Sequence, residues 1–328
     1  MGVWKNKSTE FNGVTHIRKD NLANNLLYGV MDFLQWGFLR VGGFQNITRN
    51  PAVTDSFGVN NRYRLRYSSD PSYTAGQVWE GFRNDWVWES GITFEGISPI
   101  RVSGVWIDNS FYGLTHSTYS HYVDYPNGRI IFDTPVDSAK TVSAEFSHRT
   151  VGIARASEPF IQELLYDSYD MESVHDYTLV GSGTRNQLGQ RRLQLPVIGV
   201  EVVRSLPSEG YELGGSEYVF NDVLFHIFAD NEDERNDIRD AILNQNRKVI
   251  CLINRGSMKE DSNYPLQLDS LGSPKPSAVM YPYLVGPGGY RWKDAQFTNT
   301  VSTDMEPVNR WLHRATVRST FTAIMSNI

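Results

Sequence analysis

The chain has 328 residues, 40% hydrophobic and 21% charged, which predicts two domains or one domain with a large insertion and excludes overall disorder. Thirty-one Lys+Arg against 37 Asp+Glu give a net charge of −6, which argues against general electrostatic binding to DNA. A single cysteine, Cys251, excludes an internal disulfide and a multi-cysteine zinc site.

The first residues, MGVWKNKSTEFNGVTH, have no apolar signal core and lack the Ser or Thr that myristoylation needs at position six. The most apolar stretch, 26–39, is interrupted by Asp32 and Gln35 and is shorter than the ~20 residues of a membrane span. A soluble chain made in a cytoplasm, with no membrane partner, is expected.

Residues 18–40 read as an amphipathic helix, with Leu22, Leu26, Val30, Phe33, Leu34 and Phe38 at the 3–4 spacing and Gly42-Gly43 as its stop. A core helix packed on a sheet is the ordinary outcome, and a partner-binding helix is the minor one. Residues 44–90 are polar, aromatic and rich in turn formers. Within them Arg62, Arg64 and Arg66 alternate with Tyr63, Leu65 and Tyr67, which puts the arginines on one face of a short strand. That face could meet nucleic acid or an acidic protein surface, or simply blunt a solvated edge. Trp86 and Trp88 alternate in the same way.

Residues 92–153 read as all-β. Pro126-Asn127-Gly128 predicts a type I′ hairpin between 122–125 and 129–133. Val142, Ala144 and Phe146 should share one face of a following strand, with Ser143, Glu145 and Ser147 on the other. A short helix is expected from 157, with Ser157 as N-cap and Pro159 in its first turn.

The most regular part is 193–254. Strands are expected at 196–204 and 217–229, the second carrying Val219, Val223, Phe225 and Ile227 on one face with a bulge near Asn221. A helix follows at 231–246, capped by Asn231 with Glu234 at N3, with Ile238, Ala241, Ile242 and Gln245 along one side and Arg247-Lys248 at its end. VICLIN reads as a short strand or a helix extension. Residues 255–306 read as a long Pro/Gly-rich loop, and 311–324 as a final strand.

No P-loop, HExxH, GxSxG or CxxC motif occurs. Gly181-Ser182-Gly183 lacks the third glycine of a dinucleotide loop. Asp230, Glu232, Asp233 and Glu234 lack calcium-loop spacing and suit a helix first turn. His116 and His121 fall on opposite strand faces, His226 reads as a satisfied strand histidine, and Cys251 as a small buried hydrophobe. The expectation is a non-enzyme with no catalytic, cofactor or metal residues.

The phrases LPVIGVEVV, GYELGG and VFNDVLFHIFADNEDERNDIRDAIL resemble the core of tail terminator and related neck proteins of tailed bacteriophages. VDYPNGRIIFDTPVDSAKTVSAEFSHRTVGI resembles hairpin modules of phage virion proteins. The resemblance covers about half the chain and leaves 44–190 as an insertion. It implies an α+β fold: a terminator-like β-sheet flanked by helices, with a β-rich insertion. The domains would be a helix at 1–43, an aromatic-rich β module at 44–153 and a core at 154–328. It further implies a virion protein assembled in the host cytoplasm as a ring, commonly hexameric. The ring would contact tube, sheath, connector or other neck proteins, with DNA passing its lumen without specific binding. Candidate interface residues are Arg62, Arg64, Arg66, Trp86, Trp88, Tyr211, Glu212, Tyr281 and Tyr283. The rival expectation is a carbohydrate-binding surface built on Trp79, Trp86, Trp88 and Trp106, and a glycosidase with paired carboxylates is a third.

Overall fold

The structure is a computed structural model and describes residues 22–50, 61–89, 91–166, 194–210, 217–252, 294–304 and 312–325. It is α+β and divides into two compact units. The aromatic unit holds the described residues of 36–152; the helix–sheet unit holds those of 22–35, 153–252 and 294–325.

Helix α1 (Leu22–Arg40) forms where the spacing predicts it, with Leu26, Val30 and Leu34 buried. Its buried surface is wider than the apolar stripe, because Asn25, Tyr28 and Asp32 are buried as well. The helix ends in a Schellman motif: Gly43 N donates to Phe38 O at 2.7 Å and Gly42 N to Leu39 O at 3.3 Å. Gly42 takes φ +85°, the left-handed turn this stop requires.

The aromatic unit is built of short strands: β1 (Phe44–Ile47), β2 (Arg66–Tyr67), β3 (Val78–Glu80), β4 (Gly104–Ile107), β5 (Ser110–Gly113), β6 (His121–Asp124), β7 (Arg129–Phe132), β8 (Val142–Ser143) and β9 (Phe146–Arg149). They form sheets ordered β2-β3-β7-β6, β5-β4-β8 and β1-β9. One core joins them, including Tyr63, Leu65, Trp79, Phe82, Trp86, Trp88, Ile130 and Phe146.

One turn reading and one strand reading are corrected. The hairpin at 122–133 exists, but Asp124 pairs with Arg129, so the loop has four residues, 125–128. Only Gly128, at φ +61°, is left-handed, whereas a two-residue type I′ turn needs positive φ at both central residues. That geometry occurs at Asp108-Asn109, with φ of 47° and 71°, between the paired residues Ile107 and Ser110. The strand expected over 142–147 is broken into β8 and β9, and both of its faces are buried except at Glu145.

In the helix–sheet unit, β10 (Gly152–Arg155) and α2 (Pro159–Tyr166) lead to β11 (Val197–Gly210), β12 (Glu217–Ala229), α3 (Glu232–Leu243), β13 (Val249–Cys251), β14 (Asp294–Asp304) and β15 (His313–Met325). The sheet order is β10-β11-β12-β15-β14-β13. Because α2 starts at Pro159, Glu158 rather than Ser157 precedes it, and the Glu158 carbonyl accepts from Ile161 and Gln162. β11 runs on to Gly210, so the connection to β12 is shorter than expected.

β12 pairs with β15 without a register shift, so no bulge lies at Asn221; the irregularities lie in β11, between Val202 and Arg204 and between Leu206 and Glu209. Val219, Asn221, Val223, Phe225 and Ile227 therefore share one face by simple alternation. Rings of Phe225, Phe297 and Phe321 pack together in this core. Asn231 caps α3, accepting from Glu234 N at 2.8 Å. Arg235, which the sequence pattern passes over, is buried with Ile238 and Ile242. Arg247 and Lys248 fall beyond the helix, whose last turn holds no basic residue.

The largest correction is β14. Residues 294–304, expected as part of a loop, form a strand between β13 and β15.

Candidate interaction surfaces

Tyr63 and Leu65 point into the core while Arg62, Arg64 and Arg66 are half-buried, as alternation requires. The structure nevertheless sends the three arginines to three different environments. Arg62 lies over the Phe82 ring at 5.1 Å and its Nη1 donates to Gln45 Oε1 at 3.4 Å. Arg64 stands across from Ser143, which stands across from Trp106, which stands across from Phe111. These four side chains follow one another along one sheet face. Arg49 stacks on the same Trp106 at 5.4 Å, and Phe111 is 50% exposed.

Arg66 belongs to a rung of alternating charge across the four-stranded sheet: Arg66, Glu80, Arg129, Asp124. Arg129 anchors it, with Nε donating to Asp124 at 2.7 Å and Nη1 to Asp70 at 2.9 Å, above the Tyr73 ring. β2 is also the edge of that sheet, so charge there disfavours edge pairing.

The tryptophans correct the carbohydrate expectation. Trp86 is 1% exposed, stacks on Phe146 at 4.1 Å, and donates its Nε1 hydrogen to Arg83 O. Trp88 is 3% exposed and meets Trp36 edge to face, and Trp79 is buried with its Nε1 donating to Gly76 O. A sugar platform needs an open ring face; these rings have none, and as buried core they are not surface residues. Trp106 alone of the four keeps partial exposure. Tyr211, Glu212, Tyr281 and Tyr283 lie outside the described residues, as does Gly181.

Sequence reading missed a buried ion pair. Arg149 Nη2 donates to Glu89 Oε1 at 2.6 Å and Nη1 to Oε2 at 3.2 Å, with both side chains almost wholly buried. Burial pushes the Glu89 carboxyl above its ordinary range, and the Arg149 charge opposes that shift. The partners lie 60 residues apart, so no local signal could have joined them. His148 follows alongside, its ring nitrogen held down to about pKa 4, first by burial and then by the Arg83 and Arg62 charges.

In the helix–sheet unit, Asp222 accepts from Arg318 Nη2 at 2.6 Å and from Thr320 Oγ1 at 2.9 Å. His226 is indeed satisfied, with Nε2 3.1 Å from Glu201. Asp222, Leu224 and His226 alternate with Val223 and Phe225, so they occupy the opposite face of β12 from the phenylalanine core. Along β14, β13 pairs only with 294–296, and the backbone of Phe297 is bonded by Arg247 and Lys248. Among the described residues no strand covers the outer edge from Thr298 to Asp304, where Val301 is 61% exposed.

Cys251 is half-buried, and burial raises its thiol pKa, with Asp294 adding to the shift. His116 sits in a turn, its Nδ1 accepting from Thr118 N, while His121 is buried. Among the described residues no three His, Cys, Asp or Glu side chains gather as metal ligands, and no helix is long and apolar enough to cross a membrane. No protein-family model, curated protein or solved structure matches the chain.

Proposed function

We propose that the chain is a structural subunit of a tailed-phage neck, which forms a ring that terminates the tail and joins it to the head. In this reading the helix–sheet unit is the counterpart of the terminator core, and the aromatic unit is its insertion. The mechanism is assembly: subunits dock by backbone pairing and by charge and shape complementarity. The observation that carries the reading is the edge of β14 from Thr298 to Asp304. Unpaired strand edges are templates for another strand, and among the described residues this long strand is covered only where the three-residue β13 pairs with it. The order helix, long strand, long strand, helix, returning strand agrees with the sequence resemblance.

Size-exclusion chromatography with light scattering, followed by negative-stain imaging, tests this. Rings or ring fragments are expected, and Val301→Lys is expected to reduce them while leaving the far-UV circular dichroism unchanged. A monomer at high concentration, even with purified tube and connector proteins added, overturns the reading.

A further inference from the structure

We propose that the outer face of the three-stranded sheet β5-β4-β8 binds single-stranded nucleic acid, with Trp106 and Phe111 stacking on bases and Arg49 and Arg64 holding phosphates. The inference does not rest on the assembly reading. All four residues belong to the aromatic unit.

The face is built around Trp106. Its ring lies 4.9 Å from the Phe111 ring, centroid to centroid, and the Arg49 guanidinium lies 5.4 Å from the Trp106 centroid. Trp106 pairs with Phe111 on one side and with Ser143 on the other, and Ser143 pairs with Arg64. Directly paired residues project to the same side of a sheet, so Arg64 is rooted on this face two strand spacings, about 10 Å, from Trp106.

Gly104 shares the face, two residues before Trp106. A Cβ there would come within 2.8 Å of Phe111 Cζ, so the Phe111 ring leans over this bare position instead of standing off the sheet. The ring is nevertheless 50% exposed, and Trp106 keeps partial exposure. A ring that lies along a sheet and stays half exposed offers its outer side for stacking.

The polar groups beside the rings are donors in want of acceptors. Arg49 and Arg64 are half-buried, and the Nε of each is buried without a hydrogen-bond partner. Among the described residues Arg64 forms no hydrogen bond or ion pair, and the Arg49 guanidinium donates only to the neutral side chain of Asn109. A buried donor without a partner calls for an acceptor. The nearby carboxylates do not supply it. Glu145 Oε1 accepts from the Arg49 backbone N at 2.9 Å, and Asp108 is held by Lys140 at 2.6 Å. Arg49, Arg64 and Lys140 therefore stand against Asp108 and Glu145, and the face keeps a surplus of positive charge.

Unanswered guanidiniums beside open rings select the ligand. A neutral sugar leaves the cations without a counter-charge, and an acidic peptide leaves the rings without a flat partner. A duplex hides the faces of its bases. A single strand presents base faces and phosphates together. The net charge of −6 bears on binding over the whole surface, not on one patch.

The test uses the full chain and the fluorescence anisotropy of a fluorescein-labelled oligothymidine, starting at about 50 mM salt and repeated as salt rises. Binding is expected, with a log–log salt slope of about −1.4, the value for two phosphates of a single strand. Phe111→Ala should weaken binding about tenfold and leave the slope unchanged, with far-ultraviolet circular dichroism confirming the fold. Arg64→Gln should halve the slope to about −0.7, which a merely structural arginine would not do. A duplex of the same length should bind about tenfold more weakly than the single strand. Absence of binding by the folded chain, binding that either variant leaves untouched, or equal binding of the duplex overturns the site. A polyglutamate peptide that displaces the oligonucleotide at equal concentration also overturns it and assigns the face to an acidic protein.

Discussion

The two units solve the same burial problem by different means. The helix–sheet unit relies on long ladders: β12 and β15 pair continuously from Glu217–Met325 to Ala229–His313, and Val, Ile and Phe fill one face by period-two alternation. Among the described residues the aromatic unit has no strand longer than four residues. Its core is assembled from large rings placed one by one, each indole nitrogen of Trp79 and Trp86 matched to a carbonyl, with an ion pair sealed inside. A regular ladder spreads stability over many equivalent contacts. A core of short strands concentrates it in a few side chains, and this difference can be tested.

The sharpest break is expected at the ion pair. Arg149→Met leaves Glu89 buried without a counter-charge and should cost about 3–5 kcal/mol. Every described tryptophan lies in the aromatic unit, so urea denaturation followed by tryptophan fluorescence reads this loss. The double change Glu89→Leu with Arg149→Met should recover most of it. If the single change is silent, stability in that unit is as diffuse as in the long ladders.

A change of opposite sign is expected in the helix–sheet unit. Asn221 is buried across from Phe321, and among the described residues neither its amide oxygen nor its amide nitrogen has a partner. Asn221→Leu should stabilise by about 1–3 kcal/mol, the cost of a buried unsatisfied polar group, and raise the thermal midpoint in calorimetry. A lower midpoint would mean that the amide is needed where it stands.

The smallest effect is local. Asn231→Ala removes the cap of α3 and should cost about 1 kcal/mol, measured as a lower midpoint in thermal melts followed by far-UV circular dichroism. A loss several times larger would show that α3 carries more of its unit's stability than one cap accounts for.

The same contrast sets what could be read from the sequence. α1, α3, β11, β12 and β15 were legible because period, caps and length agree over many residues. β14 was not: QFTNTVST offers few apolar positions, and Asn299 at φ +50° interrupts its alternation with a register shift between Thr298 and Val301. In the aromatic unit the hairpin at 122–133 was legible, but its turn type was not. The pairing of Asp124 with Arg129, reinforced by their 2.7 Å ion pair, fixed a longer loop than Asn127-Gly128 suggested.

The surface role given to the tryptophans failed for a related reason. Alternation says that Trp86 and Trp88 share a side, but not whether that side faces solvent. The arginine trio was read as one face of a strand, but only Arg66 lies in a strand, with Arg62 in a turn and Arg64 at a single bridge, and their separate surroundings depend on Gln45, Glu80 and Ser143.

The kink at Asn299 also bears on aggregation. Dry zippers of stacked strands need about six or seven flat, uncharged residues in a row. The interruption divides β14 into paired runs of 295–298 and 301–304, each shorter than that. An exposed edge carrying Val301 is the kind of edge that seeds fibrils, and the left-handed residue in its middle shortens the flat run available for stacking.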